Sequence, residues 1–158
     1  MSAADAKEKI KVLFLCTGNS CRSQMAEGWA KALKAEVIEP CSAGIETHGL
    51  NPDAVKVMAE AGVDISRHKS KRVDDLKDVE FDYVVTLCGH AHETCPMWLG
   101  GKAKVVHVGF DDPPALARQL AENGASAEGR LDGYRRVRDE IKAFVQALPD
   151  AINTTQRR

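Results

Sequence analysis

Residues 11–23, KVLFLCTGNSCRS, constrain the fold of this chain more than any other stretch. Residues 11–16 are a short apolar run of strand length, and Thr17, Gly18, Asn19 and Ser20 after them are turn formers. From Ser23 onward, Met25, Trp29, Ala32 and Leu33 fall on one helical face. A buried strand that passes through a glycine-containing loop into a helix needs further layers to cover its apolar faces, which points to an α/β architecture.

The rest of the chain repeats the alternation. Residues 36–41 read as a second strand, with Ser42-Ala43-Gly44 leading into a loop. Asn51-Pro52-Asp53 opens a helix with proline near its first position; Val55, Met58 and Ala59 supply its apolar face and Gly62 its stop. Residues 63–80 are charged and cross the surface, with a short helix near Val73–Leu76. Residues 83–87 are a third buried strand that ends at Cys88. Residues 88–101 read as a long loop, 104–108 as a fourth strand and 111–114 as a turn, with a helix from Ala115. Leu131, Tyr134, Val137, Ile141, Phe144, Val145 and Leu148 mark the last helix, and Arg135, Arg136, Asp139, Glu140 and Lys142 form its solvated face. The expectation is one α/β domain over residues 1–158, a four-stranded mostly parallel sheet with helices on both faces, and frayed tails at 1–9 and 151–158.

Charge and cysteine usage narrow the function. The 22 basic and 23 acidic residues leave a net charge of −1, which argues against a general nucleic-acid binder, since that class carries a basic excess. No apolar run approaches the ~20 residues that span a bilayer, and the polar first ten residues lack the apolar stretch of a secretion signal. A cytoplasmic monomer is the expectation. The five cysteines, Cys16, Cys21, Cys41, Cys88 and Cys95, are an odd number that fits reduced, chemically used thiols better than a disulfide framework.

Cys16 and Arg22 frame a five-residue loop at the strand–helix junction. Backbone amides in such a loop form an anion-binding nest, and Arg22 adds a planar two-pronged grip on a tetrahedral oxyanion. Thr17, Gly18, Asn19, Ser20, Cys21, Arg22 and Ser23 are therefore the expected binding residues. The same field favours the thiolate of Cys16, a nucleophile seated beneath the bound oxyanion. Ser23 either donates a hydrogen bond to that sulfur or caps the helix.

The runs CTGNSCRSQMAEGW, SAGIETHG, VVTLC, GFDDP and RVRDEI resemble the arsenate reductases built on the low-molecular-weight protein tyrosine phosphatase fold, and most closely the thioredoxin-coupled branch. The resemblance covers about residues 11–148 and is weakest around 116–130, a segment longer than usual for the family. It implies arsenate as substrate, with Cys16 attacking arsenic. Cys88 then attacks Cys16 and releases arsenite, and Cys95 resolves a final Cys88–Cys95 disulfide for thioredoxin to reduce. Asp112, directly before Pro113, resembles the family's proton donor, with Asp111 the lesser candidate and a turn or helix cap its plain structural role. No metal or organic cofactor is implied. A glutaredoxin or a small thiol remains open as reductant.

Other readings are weighed against this one. Cys16, Arg22 and Asp112 alone would serve phosphate-monoester hydrolysis. However, Pro114 and Ala115 stand where tyrosine phosphatases carry tyrosines, and the Cys88/Cys95 pair has no role in hydrolysis. An oxyanion-binding or redox-responsive module without turnover uses the same residues. Cys88, His90, His92 and Cys95 are close enough for a zinc shell, but zinc would lock up the thiol that the relay needs; loop solvation is the preferred reading of the two histidines. Gly89, Gly100 and Gly101 suit residues 88–101 to movement. Some family members bind potassium through Asn, Glu, Ser and Asp. Asn19, Glu27 and Ser42 match that set, but Lys71 stands at the Asp position, so potassium is not expected. Cys21, Cys41, Met25 and Trp29 read as packing residues, and His48 and His68 as structural hydrogen-bonders.

Overall fold

The computed structural model describes residues 9–100 and 103–152. Four strands, β1 (Ile10–Cys16), β2 (Ile38–Gly44), β3 (Tyr83–Thr86) and β4 (Lys104–His107), form one sheet in the order β2-β1-β3-β4. Every pairing is parallel, so the sheet is wholly rather than mostly parallel. Among the described residues six helices accompany it: α1 (Arg22–Leu33), α2 (Pro52–Glu60), α3 (Gly89–Glu93), α4 (Met97–Gly100), α5 (Pro113–Glu122) and α6 (Asp132–Gln146). Short 3-10 turns lie at Val73–Leu76 and Gly129–Leu131.

The alternating side chains of β1 build a core on each face. Val12, Phe14 and Cys16 face one cluster, shared with Met25 and Trp29 of α1 and with Val137, Ile141 and Val145 of α6. Leu13 and Leu15 face a second cluster, closed by Ala91 of α3 and Leu99 of α4. Fully burying side chains of this size contributes about 1.5–3 kcal/mol each. Residues Ser23 to Ala30 of α1 are all buried, since the sheet, α2 and α6 surround that part of the helix.

Several boundaries differ from the sequence reading. β2 runs on through Ser42, Ala43 and Gly44, because its pairing with β1 continues to Cys16 opposite Gly44. α5 starts at Pro113, since proline at a first helical position loses no hydrogen bond. Residues 88–101 are not a plain loop, for α3 and α4 occupy much of the segment. Ala151 and Ile152, expected within a frayed tail, are helical, and Ile152 is fully buried in the first core. Residues 1–8, Gly101 and 153–158 lie outside the described residues. Gly62 has φ +87 just past α2, the left-handed stop expected there.

The topology places the chemistry. The chain leaves β1 for β2 on one side, then crosses back to β3 on the other, so the strand order switches direction beside β1. Crevices at such switch points, at the carboxyl ends of the strands, are where open α/β sheets bind ligands. Cys16 ends β1, and Cys88 follows β3 by two residues.

Candidate functional site

The loop from Cys16 to Arg22 is held from outside. The carbonyls of Cys16, Thr17, Gly18 and Ser20 accept from the amides of Ile45, Glu46, His48 and Asn51, and the Asn19 carbonyl accepts from Gln24 Nε2. With the carbonyls tied outward, the amide edge of the loop is left for the cleft. Gly44 permits this close approach: a Cβ there would lie 2.3 Å from the Glu46 carbonyl oxygen and 2.7 Å from the Asn19 nitrogen.

Asn19 is the brace. It is fully buried, with φ 48 in the left-handed region that Asn tolerates better than most residues. Its Nδ2 donates to Ser23 Oγ at 2.8 Å and Ser42 Oγ at 3.0 Å, and its Oδ1 accepts from the Lys71 amide at 2.7 Å and Gln24 Nε2 at 3.1 Å. Every hydrogen-bonding position of the amide is filled. Behind it, Gln24 Oε1 accepts from His68, which fixes the proton on Nδ1. Ser42 Oγ donates to Glu27. Burial of Glu27 opposes its charge, but the hydrogen bonds from Lys31 and Ser42, with Lys71 and His68 nearby, hold its pKa below the ordinary value. Lys31 Nζ lies 2.6 Å and Lys71 Nζ 3.9 Å from this carboxylate, so ammonium groups already balance it.

Ser23 Oγ sits 2.9 Å from Cys16 Sγ. Ser23 is a buried residue within α1 and makes no cap bond, so of its two expected positions the one beside the sulfur is observed. Cys21 is buried, and burial, reinforced by Cys16, pushes its thiol well up, in keeping with a packing residue. Cys41 is half-buried against the second core, and burial raises its pKa also.

Arg22 crosses from α1 toward the end of β4. One nitrogen donates to the Phe110 carbonyl at 2.9 Å, and another lies 3.5 Å from Asp112 Oδ1. Asp112 stands at the cap position of α5, but its side chain does not cap the helix. Asp111 is instead paired with Arg136 at 2.9 Å. Cys16, Thr17, Gly18, Ser20, Cys21 and Arg22 thus share a cleft of about 340 Å³ with His48, Asp112, Pro114 and Arg118. Among the described residues no phenylalanine, tyrosine or tryptophan lines it: Tyr134 is buried, and Tyr83 lies at the start of β3, at the sheet's other end.

Cys88 borders the same site. Its Sγ lies 3.3 Å from Thr17 Oγ1 in the anion loop and accepts from the Ala91 amide at 3.4 Å, as the first residue before α3. Cys95 follows α3, half-buried beside the second core, and burial raises its thiol pKa. All five thiols are free. His92 is tied more firmly than a solvated loop residue. Thr86 Oγ1 lies 3.1 Å from its Nδ1 and 2.9 Å from His107 Nδ1, and the two imidazole rings meet at 4.8 Å, tilted by 36°. Among the described residues, no group of three or more His, Cys, Asp or Glu side chains is arranged to hold a metal, so Cys88, His90, His92 and Cys95 do not form a zinc shell.

Sequence reasoning singled out Cys16 to Ser23, Cys88 and Asp112, which meet around this cleft or at its edge. It missed Thr17 as a partner of Cys88, the Gln24–His68 backing, the Thr86–His92–His107 cluster, and Arg118. Most of these depend on residues that are distant in sequence, and none shows a local pattern.

Comparison with known proteins agrees with this geometry. The family model described as low molecular weight phosphotyrosine protein phosphatase matches residues 11–158. An arsenate reductase of Halalkalibacterium halodurans is 50% identical over 139 residues, covering 88% of this chain and 94% of that protein. An arsenate reductase of Bacillus subtilis is 50% identical over 130 residues, 82% of this chain and 88% of that one. A solved arsenate reductase in its phosphate-binding state superposes with a TM-score of 0.70 at 35% identity, covering 88% of this chain and 95% of the other.

Proposed function

The chain belongs to the low molecular weight phosphotyrosine protein phosphatase family and is an arsenate reductase, and we propose that it works by a relay of three thiols. The Cys16 thiolate attacks arsenic in the oxyanion held by Arg22 and the loop amides. Asp112 gives its proton to the departing hydroxide, which leaves as water. The Cys88 thiolate then attacks Cys16 Sγ. The sulfur–arsenic bond breaks, its electron pair stays on arsenic, and arsenite leaves. The Cys95 thiolate attacks Cys88 Sγ, freeing Cys16 and leaving a Cys88–Cys95 disulfide. Thioredoxin reduces this disulfide in the cytoplasm and returns both thiols. The enzyme acts as a monomer without metal or organic cofactor.

The observation that carries this reading is Cys88 Sγ at 3.3 Å from Thr17 Oγ1, one strand over from the nucleophile. A phosphatase needs no thiol there, and the cleft offers a phosphotyrosine ring no aromatic wall. Cys95→Ser protein mixed with arsenate tests the order of steps. One arsenite per chain and a Cys16–Cys88 disulfide by mass spectrometry are expected. Unmodified Cys16 and Cys88 after exposure to arsenate would overturn the relay.

A further inference from the structure

The cleft is larger than its substrate. A tetrahedral oxyanion takes the room of roughly four waters, about 120 Å³ at ~30 Å³ each, against about 340 Å³ here. Beyond the anion loop the lining includes His48, Pro114 and Arg118; His48 and Arg118 are exposed and stand at the mouth. Pro114 and Arg118 are four residues apart, so they share one face of α5. Leu116 and Ala117, between them, pack against the core and fix that face.

Nearby cationic groups are engaged. Arg22 holds Phe110 and Asp112, and Arg136 is paired with Asp111 and Glu140. The guanidinium of Arg118 makes no hydrogen bond or ion pair with any described residue. The charge balance of the cleft gives this group a task. With Cys16 as the attacking thiolate, Arg22 already faces one negative charge, and it also holds the Phe110 carbonyl and the Asp112 carboxyl group. An entering arsenate brings more, and a chain of net charge −1 offers no general attraction for it.

We propose that Arg118 is the second cation of the site, which captures the oxyanion at the mouth and selects for doubly charged free oxyanions. This rests on the arsenate reductase reading. It also gives the long segment around 116–130 a purpose, because that segment carries the helix presenting Arg118.

The test uses Arg118→Ala, Arg118→Lys and Arg118→Glu with saturating reductant. The alanine variant is expected to raise KM for arsenate about three- to tenfold, with kcat within about twofold. Lysine recovers most of the loss, and glutamate exceeds alanine. Raising salt from about 50 mM to about 500 mM narrows the gap between wild type and alanine. Calorimetric titration of the reduced proteins with inorganic phosphate should show the same weakening. That readout needs no turnover, so it separates failure of this proposal from failure of the relay. Unchanged KM and phosphate affinity in Arg118→Ala, or a loss in kcat with KM unmoved, would overturn the assignment.

Discussion

Asn19→Ala should cost this protein much of its stability, and the structure allows the loss to be worked out. The substitution removes four side-chain hydrogen bonds, to Ser23, Ser42, the Lys71 amide and Gln24. At about 1 kcal/mol net for each, that is about 4 kcal/mol. Alanine must also adopt φ 48, a further cost of about 1 kcal/mol relative to asparagine. The expected loss is about 4–6 kcal/mol, against a total of roughly 5–15 kcal/mol for a domain of this kind. Asn19→Gly avoids the backbone cost and should recover about 1 kcal/mol of it. Urea unfolding followed by circular dichroism reads both values, with an unchanged slope showing that only stability moved. Arsenite formation should fall as well, since Ser23 loses its partner beside Cys16. An alanine variant within about 1 kcal/mol of wild type would refute the argument that Asn19 braces the loop.

Three other predictions follow from neighbouring geometry. Gly44→Ala drives a Cβ into backbone atoms of Glu46 and Asn19, so it should destabilise by about 1–3 kcal/mol and weaken phosphate binding; wild-type values in both would contradict the packing. Burial lowers the His68 pKa, with Glu27 opposing, so its imidazole should titrate below 6.5 by NMR. The unfolded chain then binds that proton more readily, so the stability His68 contributes is complete above that value and is lost as pH falls through the folded pKa; titration above 6.5 would reverse the sign. Trp98 packs against the second core from α4, inside the segment that carries Cys95. Oxidation with arsenate should change its fluorescence and Trp98→Phe should abolish the change, whereas an unchanged spectrum would argue against movement of α3 and α4.

The sheet and the anion loop were legible in the sequence because local rules govern them. An apolar run, turn formers and a helical face place Cys16 and Arg22 with no knowledge of the rest. Cys88 and Asp112 followed as residues just past strands. The short helices α3 and α4 were not legible, because four or five residues show no helical periodicity. β2 was set too early in the chain because its end is decided by pairing with β1, not by its own composition. The Gln24–His68 contact behind Asn19 joins residues 44 positions apart through single side chains, for which one sequence carries no signal. Arg118 was invisible for the same reason: only the path of α5 brings it over the cleft.

The central claim is that three thiols pass one oxidation outward from the oxyanion site. Fully reduced, metal-free protein mixed with arsenate and no external reductant tests it most directly, with free thiols counted over time. The account predicts the loss of two thiols and the release of one arsenite per chain, with the disulfide mapped to Cys88–Cys95. Intact thiols alongside rapid hydrolysis of an aryl phosphate would contradict it and leave a phosphatase in its place.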